Sequence, residues 1–545
     1  MKNKRMRNMF KHDVRLLLLA ACCTVAASVF TSCDDYLDVL PDNRASLDTD
    51  EKITDLLVSA YPRTCSFMLT ELYSDNTDRN DESSAYSPFR PVQEQAATWS
   101  DVTYTYQDTP YAIWDNCYKS IAAANNVIFA INEKGNPEHM RAQLGEALLC
   151  RAFCHFMLGN VFCKAYSPKT CNEDLGITYI NKVLTEVAPV YPRGTMADLY
   201  RNIAADIEAG LPLISDDLHT VLRYHFNTKA ANAFAARFYL YYMQDDKSNL
   251  DKAIMYANRV LGDNPQDVLR DWQALGQISI VDGQRANAFV AADNKANLLI
   301  LSTNSFWEWI YGPTSVGFKY THNNKIAETE TVKSRGFWGN DNNFYFGVDV
   351  STSGPKVLMY KLAQFMQYTD ITKGVGYPKM MMPVLTTDAL LLERAEAFAL
   401  KGDYQKAYDD LTAWMHSFTN ATHTVDASLL ESVYGEAGSG PFSTVGMSYY
   451  TPEEPTPKKR LDPDFTVTPG EQENLIHAIL HARRVTTLHE GLRWYDVKRY
   501  GIEIYRRAVK EGNITIYDTM KKDDPRRAIQ LPENVIKAGI TANPR

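Results

Sequence analysis

Apolar residues recur at helical spacing in several long segments of the chain. Between Tyr111 and Ile131 they follow one another at intervals that keep them on one helix face, as seen at Trp114, Tyr118, Ile121 and Ile128. Similar stripes predict further helices over Met140–Phe162, Ala197–Leu211, Lys229–Tyr242 and Leu250–Leu261, the second of them N-capped by Thr195. The pattern indicates a mostly α-helical fold.

The segment Asp388–Met415 matches the pattern of a tetratricopeptide helix pair. Ala395 is a small residue on the first helix, Gly402-Asp403-Tyr404 forms the turn, and Ala407 is a small residue on the second helix. Small residues allow two helices to approach closely, and glycine permits the left-handed turn between them. Segments 111–162 and 229–261 fit this pattern loosely. We expect tetratricopeptide-like pairs that form a scaffold, with unrelated helix hairpins as the alternative.

Residues 262–385 have a different character, with short apolar runs and dense glycine, asparagine and aromatic residues. Short strands are predicted at Leu298–Ser302, Phe344–Val348 and Val357–Tyr360. Residues 435–470 are rich in Gly, Pro, Ser and Thr and indicate a long loop. Long loops in a folded domain are often functional, so we expect the ligand-binding region in 262–385 and 435–470. The helical scaffold would then cover about 40–261, 386–434 and 471–545.

Composition excludes several classes of protein. The 545 residues are 45% apolar and 23% charged, which is typical of a globular chain. The formal charge of −9 argues against nucleic acid as the main partner, since a phosphate backbone needs a concentrated basic face. No apolar run of about 18 residues follows residue 31, so a polytopic membrane protein is excluded.

The first 32 residues have the pattern of a lipoprotein signal peptide. Met1–Arg15 is basic, Leu16–Phe30 is apolar with small residues interspersed, and Thr31-Ser32-Cys33 follows. A cysteine at this place predicts cleavage before Cys33 and lipidation of Cys33, which anchors the chain to a membrane by its acyl chains. The alternative is an ordinary secretory signal with an incidental cysteine. We expect one mature domain, residues 33–545.

Six cysteines remain after Cys33, and an exported chain permits disulfides. Cys163 and Cys171 flank a short loop and are the one pair that spacing suggests. Cys150 and Cys154 are four residues apart on a predicted helix and are expected to pack as small apolar residues. Spacing alone leaves the pairing open.

The sequence lacks the motifs of common enzyme and metal sites. It has no G-x-S-x-G, P-loop or dinucleotide fingerprint. His477 and His481 have metal-ligand spacing, but no nearby carboxylate completes a site, so a structural pair is favoured. The acids from Asp75 to Glu82 lack the glycine and closing spacing of a calcium loop, which favours a polar loop that contacts ligand. We expect no catalytic residue, metal or cofactor.

Aromatic residues outside the helical stripes are the candidates for ligand contact. A planar ring can face the C–H side of a sugar ring or an apolar peptide side chain, while polar groups hydrogen-bond hydroxyls. For each ring the alternative is core packing, and Trp307 and Trp309 would share a face if their segment were a strand. The candidates are Trp99, Trp307, Trp309, Tyr311, Phe337 and Trp338.

Motifs near both ends resemble one family. Arg483-Arg484 is followed by Glu490-Gly491-Leu492-Arg493-Trp494-Tyr495-Asp496-Val497-Lys498-Arg499, which resembles the C-terminal signature of SusD-like (RagB/SusD) outer-membrane lipoproteins, with Val497 in place of the family's leucine. The start Cys33–Asp38 and the closing Ile529–Pro532 and Asn543–Pro544 resemble the same family. The ordered set spans the whole mature chain. On its own chemistry, the charged residues around Trp494 predict a salt-bridged packing element.

The resemblance implies a function for the chain. A SusD-like lipoprotein on the outer face of the outer membrane would bind oligosaccharide or polysaccharide. It would deliver this ligand to a SusC-like TonB-dependent transporter, as a hinged lid and without catalysis. By the same resemblance, Asp75, Arg79 and Asn80 are placed like the family's polar contacts, and Trp99 and 307–311 like its aromatic ones. The alternatives are a peptide-binding RagB-like protein, a surface glycosidase and a purely structural scaffold.

Overall fold

Helices dominate the computed structural model, which describes residues 47–184, 191–351, 354–438 and 446–545. The predicted signal peptide and the lipidation of Cys33 lie outside these residues. The unit Asp50–Arg545 is described below. In the described ranges no helix has the length and apolar character needed to cross a bilayer.

The described residues form α-helices of very different lengths. The first nine are α1 (Asp50–Leu57), α2 (Phe67–Tyr73), α3 (Pro91–Ala97), α4 (Pro110–Glu133), α5 (Arg141–Phe162), α6 (Met196–Gly210), α7 (Thr228–Tyr241), α8 (Ser248–Leu261) and α9 (Trp272–Gln277). The others are α10 (Gln284–Val290), α11 (Trp307–Tyr311), α12 (Asn324–Glu330), α13 (Thr387–Lys401), α14 (Tyr404–Phe418), α15 (Ala427–Tyr434), α16 (Glu471–Thr486), α17 (Leu492–Arg499) and α18 (Glu533–Lys537). The predicted mostly α-helical fold is confirmed.

Helix pairs form the scaffold, and the pair α13–α14 shows how the sequence builds one. Gly402 joins the two helices with φ 94°, in the left-handed region that glycine adopts without strain. Ala395 and Ala407 are fully buried between neighbouring helices. Arg394 on α13 donates two hydrogen bonds, of 2.9 and 2.6 Å, to the carboxylate of Asp410 on α14. α4 with α5, and α7 with α8, pack as similar neighbours.

The strands form three small sheets. They are β1 (Asp78–Asn80), β2 (Asn297–Thr303), β3 (Tyr320–Thr321), β4 (Asp349–Val350), β5 (Val357–Leu358), β6 (Gln364–Asp370), β7 (Val375–Thr386), β8 (Ile504–Lys510) and β9 (Asn513–Met520). The sheet orders are β3-β1-β8-β9, β2-β7-β6 and β4-β5. β1 pairs parallel to β8, which brings the N-terminal loop of the scaffold against the C-terminal hairpin.

The C-terminal charged motif is a packing element, as its chemistry predicted. Arg483 on α16 donates to both carboxylate oxygens of Asp496 on α17, at 2.9 and 2.7 Å. Glu396 on α13 lies 2.7 Å from Arg483 and accepts a 2.7 Å hydrogen bond from Arg499. Trp494 is fully buried and packs edge-on against Tyr73. These ion pairs join three helices in the interior.

The six cysteines in the described residues are buried free thiols. Cys163 and Cys171 therefore do not form the bridge that their spacing suggested. Cys150 and Cys154 are almost completely buried in α5, where they pack as small apolar side chains.

Candidate ligand-binding site

The polar residues predicted to contact ligand are held inside the fold. Asp75 is 7% exposed, and Arg493 donates two 2.8 Å hydrogen bonds to its carboxylate. Asn80 is buried and donates to the Phe318 carbonyl at 2.8 Å. Arg79 is a third exposed, but its guanidinium donates to Asp81 at 2.8 Å. Each of the three side chains is engaged within the protein.

The acidic run that begins at Asp75 is likewise paired with cations or amides. Arg507 donates to both oxygens of Asp78, at 3.0 and 2.9 Å. Asp81 is paired with Arg79 and Lys319, and Glu82 accepts from the backbone N–H of residue 511 at 2.8 Å. The carboxylates thus serve ion pairs and a turn.

Most of the predicted aromatic contacts are also in the interior. Trp99 is 3% exposed, its Nε1–H donates to the Tyr73 carbonyl at 3.0 Å, and the Arg506 guanidinium lies 4.2 Å from its ring centre. Phe337 and Trp338 are buried and pack against Trp414 at 5.5 and 5.4 Å between ring centres. For these three rings the geometry favours core packing, the alternative that the sequence left open.

Trp307, Trp309 and Tyr311 lie on a short helix, α11, and not on a strand. Trp307 and Tyr311 are fully buried, and the Trp307 Nε1–H donates to the His489 carbonyl at 2.6 Å. Trp309 is on another side of the helix and is 39% exposed. Of the six aromatic candidates, Trp309 is the one with a substantial accessible surface.

Trp309 belongs to a series of partly accessible rings that we call the aromatic platform. Its ring is parallel to that of Phe89, with an interplanar angle of 3° and 5.5 Å between ring centres. Phe89 contacts Phe306 edge-on at 5.6 Å, Phe306 contacts Tyr106 at 6.0 Å, and Tyr106 contacts Tyr104 at 5.5 Å. The platform consists of Phe89, Tyr104, Tyr106, Phe306 and Trp309.

Arg90 places a positive charge on this platform. Its guanidinium carbon lies 4.5 Å from the centre of the Phe306 ring, 5.1 Å from Phe89 and 5.4 Å from Tyr106. Such cation–π contacts orient the planar fork against the rings. Because Arg90 is exposed, its N–H groups remain accessible for hydrogen bonding to hydroxyl or carboxylate groups of a ligand.

Gln93 on α3 fixes the loop that carries Phe89. Its Oε1 accepts a 2.7 Å hydrogen bond from the backbone N–H of Phe89, and its Nε2 donates to the Gly317 carbonyl at 2.8 Å. Gln93 is completely buried, so these bonds are shielded from water. The amide thereby ties the Phe89 loop to the segment that precedes β3.

Asp108 joins the two other loops of the platform. Its carboxylate accepts a 2.7 Å hydrogen bond from the Ser305 hydroxyl and a 2.6 Å bond from the Phe306 backbone N–H. Its φ of 62° lies in the left-handed region, which Asp tolerates better than most residues. Burial raises the pKa of Asp108 to about 7, although the bonds from Phe306 and Ser305 act to lower it.

This pKa predicts a pH-dependent stability. Folded Asp108 binds its proton more tightly than unfolded Asp, whose pKa is about 3.9. The stabilisation from the protonated side chain is therefore present at low pH and lost as pH rises from about 4 to about 7. Asp108→Asn stays neutral, so its stability relative to wild type should rise by up to about 4 kcal/mol across that window. Urea unfolding at pH 4.5 and pH 8 measures the difference. A difference between Asp108→Asn and wild type that is equal at both pH values would contradict the prediction.

His477 and His481 are both buried on α16. His481 is buried and hydrogen-bonds the Tyr434 hydroxyl at 2.9 Å and the Ser334 hydroxyl at 3.1 Å. His477 is buried 3.6 Å from Glu473. The partners of His481 lie outside α16, whereas Glu473 lies on α16 together with His477.

Comparison with known proteins identifies the fold. Three solved structures are similar over nearly the whole chain. A protein from Bacteroides vulgatus has a TM-score of 0.61 and 16% identity, covering 92% of this chain and 99% of its own. A SusD superfamily protein from Bacteroides thetaiotaomicron has a TM-score of 0.57 and 16% identity, covering 90% and 98%. At these identities the likeness shows the fold.

Residues 35–240 match the family model SusD-like_3, described as "Starch-binding associating with outer membrane". This segment of the chain is similar to the SusD-like family. A third SusD-like structure, a carbohydrate binding protein from Bacteroides vulgatus, has a TM-score of 0.55 and 15% identity and covers 90% of this chain and 95% of its own. No curated protein matches the sequence.

Four of the five platform residues were not predicted from the sequence. The candidates were selected because they lie outside the helical stripes, although burial depends on neighbours that are distant in sequence. A usable signal was present, because Phe89, Tyr104 and Tyr106 are aromatic residues in polar, turn-rich segments. Aromatic residues in such segments have fewer ways to be buried than residues in a helical stripe.

Proposed function

We propose that this protein captures oligosaccharide or polysaccharide at the cell surface through the aromatic platform. The observation that carries the proposal is the accessible series of rings from Trp309 to Tyr104, with 39% and 41% of those two residues exposed. A contiguous set of accessible aromatic rings is typical of a binding surface.

The chemistry of the platform suits sugars. A pyranose ring presents C–H groups on one face and hydroxyls at its edge, so it can stack on a ring while its edge hydrogen-bonds polar groups. The Arg90 guanidinium and the Tyr104 hydroxyl supply such groups beside the rings. A series of rings, instead of one, favours a ligand with several linked sugar units. The family description and the carbohydrate-binding relative support the same ligand class.

Binding without reaction is supported by the carboxylates beside the platform. Asp108 is occupied by Ser305 and Phe306, and Glu308 accepts from Tyr360 at 2.9 Å and from the Gln364 backbone N–H at 2.5 Å. Glycoside hydrolysis needs an acid and a second carboxylate that face the scissile bond. Two carboxylates committed to fixing the platform loops are better suited to a rigid binding surface.

Delivery to a SusC-like TonB-dependent transporter is the second part of the proposal. Supporting it, the hairpin β6–β7 presents exposed apolar side chains, including Phe365 at 43%, Tyr368 at 52% and Tyr377 at 62%. Such a patch is typical of a protein-binding surface. The hairpin starts at Gln364, whose N–H is bonded to Glu308 next to Trp309. Ligand and partner surfaces would therefore be adjacent.

Anchoring completes the proposal. Lipidation of Cys33 would hold the protein on the outer membrane, in agreement with the family description. Mass spectrometry of the N-terminal peptide from membranes tests this part, since lipidation adds acyl chains to Cys33.

Calorimetry of the purified protein against panels of polysaccharides and of peptides tests the ligand class. We expect heat from at least one glycan class and none from the peptides. The same mixtures, incubated and analysed for shortened products, should remain unchanged. Binding of peptides alone would support the RagB-like alternative, and release of shortened glycans would support a glycosidase.

A further inference from the structure

A group of metal-ligating side chains lies outside the aromatic platform, at the start of α5. Glu146 on α5 is 1% exposed, and its carboxylate faces two histidines from the segment between α6 and α7. His219 Nε2 is 2.6 Å from Oε2 of Glu146, and His225 Nδ1 is 2.9 Å from Oε1. One ligand atom from each residue lies within 4.8 Å of the others.

The two imidazoles are arranged to act together. Their rings are stacked with 3.5 Å between centres and an interplanar angle of 10°, so both direct a nitrogen at the same carboxylate. Two protonated imidazoles at this distance would repel each other. Two neutral imidazoles that share one dication avoid that repulsion, because each then offers a lone pair. Because the two parallel rings lie in separate planes, a shared cation requires at least one ring to turn, and Glu146 and the two histidines then supply three ligands.

The donor set matches a known coordination chemistry. Two histidines and one glutamate, with a water in the fourth position, form one of the standard zinc sites. At zinc bond lengths of about 2.0–2.1 Å, neighbouring ligand atoms of a tetrahedron are about 3.3 Å apart. The present nitrogen–oxygen distances would lengthen by less than about 1 Å. His219 and His225 have 13% and 18% of their side chains exposed, which leaves an opening for water.

An outer layer fixes the carboxylate. The Tyr61 hydroxyl donates to Oε1 of Glu146 at 2.5 Å and accepts a 2.6 Å hydrogen bond from the Phe226 backbone N–H. Hydrogen bonds to the ligands of a metal typically orient them in this way. Phe226 directly follows His225, so Tyr61 also positions the backbone that carries the second histidine.

We propose that Glu146, His219 and His225 bind one Zn²⁺, which clamps the segment before α7 onto α5. The segment contains only short 3-10 turns, Leu211–Leu213, Asp216–Leu218 and Leu222–Tyr224. A metal that joins ligands 73 residues apart closes a long loop and stabilises the folded state. The site would be structural, and independent of glycan binding by the platform.

The test uses the full chain purified without a histidine tag and stripped with a chelator. After addition of ZnCl₂ and dialysis, elemental analysis should find one Zn²⁺ per chain, and Zn²⁺ but not Mg²⁺ should raise the unfolding temperature. His219→Gln and His225→Gln should each bind Zn²⁺ at least roughly 100-fold more weakly, because even outer-layer partners contribute about 10–100-fold. Circular dichroism confirms that both variants are folded.

The matched control is His416→Gln, which alters an exposed histidine on α14 that hydrogen-bonds the His423 carbonyl. It should bind Zn²⁺ like wild type. The spectrum of the Co²⁺ form gives a second readout: nitrogen and oxygen ligands should give tetrahedral bands without thiolate charge transfer. The proposal would be overturned if the wild-type protein retained no Zn²⁺, or if both histidine variants bound Zn²⁺ as tightly as wild type. Thiolate bands from the cysteines in the Co²⁺ spectrum would also overturn it.

Discussion

Asp75→Ala should destabilise the protein by about 3–5 kcal/mol, one of the two largest effects we expect from a single substitution. Arg493 donates two hydrogen bonds to this carboxylate, and Arg484 and Lys459 approach it at 3.5 and 3.8 Å. Burial raises the pKa of Asp75, but the charges of Arg484 and Arg493 outweigh burial and hold that pKa well below its usual range. Removal of the carboxylate leaves these cations buried with less compensation.

Urea unfolding at neutral pH measures this loss. The control is Glu138→Ala, which removes a carboxylate that is 82% exposed and paired with Arg141. Exposed pairs contribute about 0–1 kcal/mol, so the control should unfold nearly like wild type. A loss below about 1 kcal/mol for Asp75→Ala would contradict a structural role. Asp75 would then again be a candidate for ligand contact, as the family resemblance implied.

Trp307→Ala should cost about 3–5 kcal/mol of stability, the usual range for a buried tryptophan truncated to alanine. The side chain is completely buried, and its indole N–H donates to the His489 carbonyl. The substitution leaves a cavity and an unpaired carbonyl in the interior. Thermal or urea unfolding measures the loss.

Trp309→Ala is the matched control, because the same residue type changes two positions away on α11. Trp309 is 39% exposed and has one face on Phe89, so its truncation should cost about 1 kcal/mol or less. Equal losses of stability at the two positions would contradict the assignment of Trp307 to the core and Trp309 to the surface. The pair therefore distinguishes a core residue from a surface residue on one short helix.

Helices were predictable because their signal is local. The stripe predicted for 140–162 became α5 at Arg141–Phe162, and Thr195 caps α6 through a reciprocal pair of hydrogen bonds with Asp198. In each case the 3.6-residue period and the cap lie within the segment itself. Of the predicted strands, Leu298–Ser302 lies within β2, because it is a buried apolar run.

Strands and loops whose partners are distant were less predictable. The predicted strand Phe344–Val348 is a loop, in which Phe344 packs on Phe418 at 5.1 Å and Phe346 on Trp272 at 5.5 Å. Its apolar residues indicated that the segment is buried, but they did not show whether it forms a strand or a loop. The hairpin β6–β7 was missed because much of β6 is exposed, so no burial pattern marks it.

The candidate site could be predicted only in part. Trp309 was selected correctly as an accessible aromatic, but Trp307 had the same local sequence signal and lies in the core. The proposed zinc ligands Glu146 and His219 are 73 residues apart, and no short motif joins them. Sites assembled from separate loops depend on tertiary packing, which a single sequence does not display.

Calorimetry of Trp309→Ala, with the glycan that binds wild type, tests the central claim most directly. The loss of one stacking face should weaken binding by about tenfold, equivalent to about 1.4 kcal/mol. Phe129→Ala removes an aromatic ring on α4 that is 53% exposed and outside the platform, and it should bind like wild type. Unchanged glycan affinity in a folded Trp309→Ala variant would contradict the assignment of the aromatic platform as the binding site.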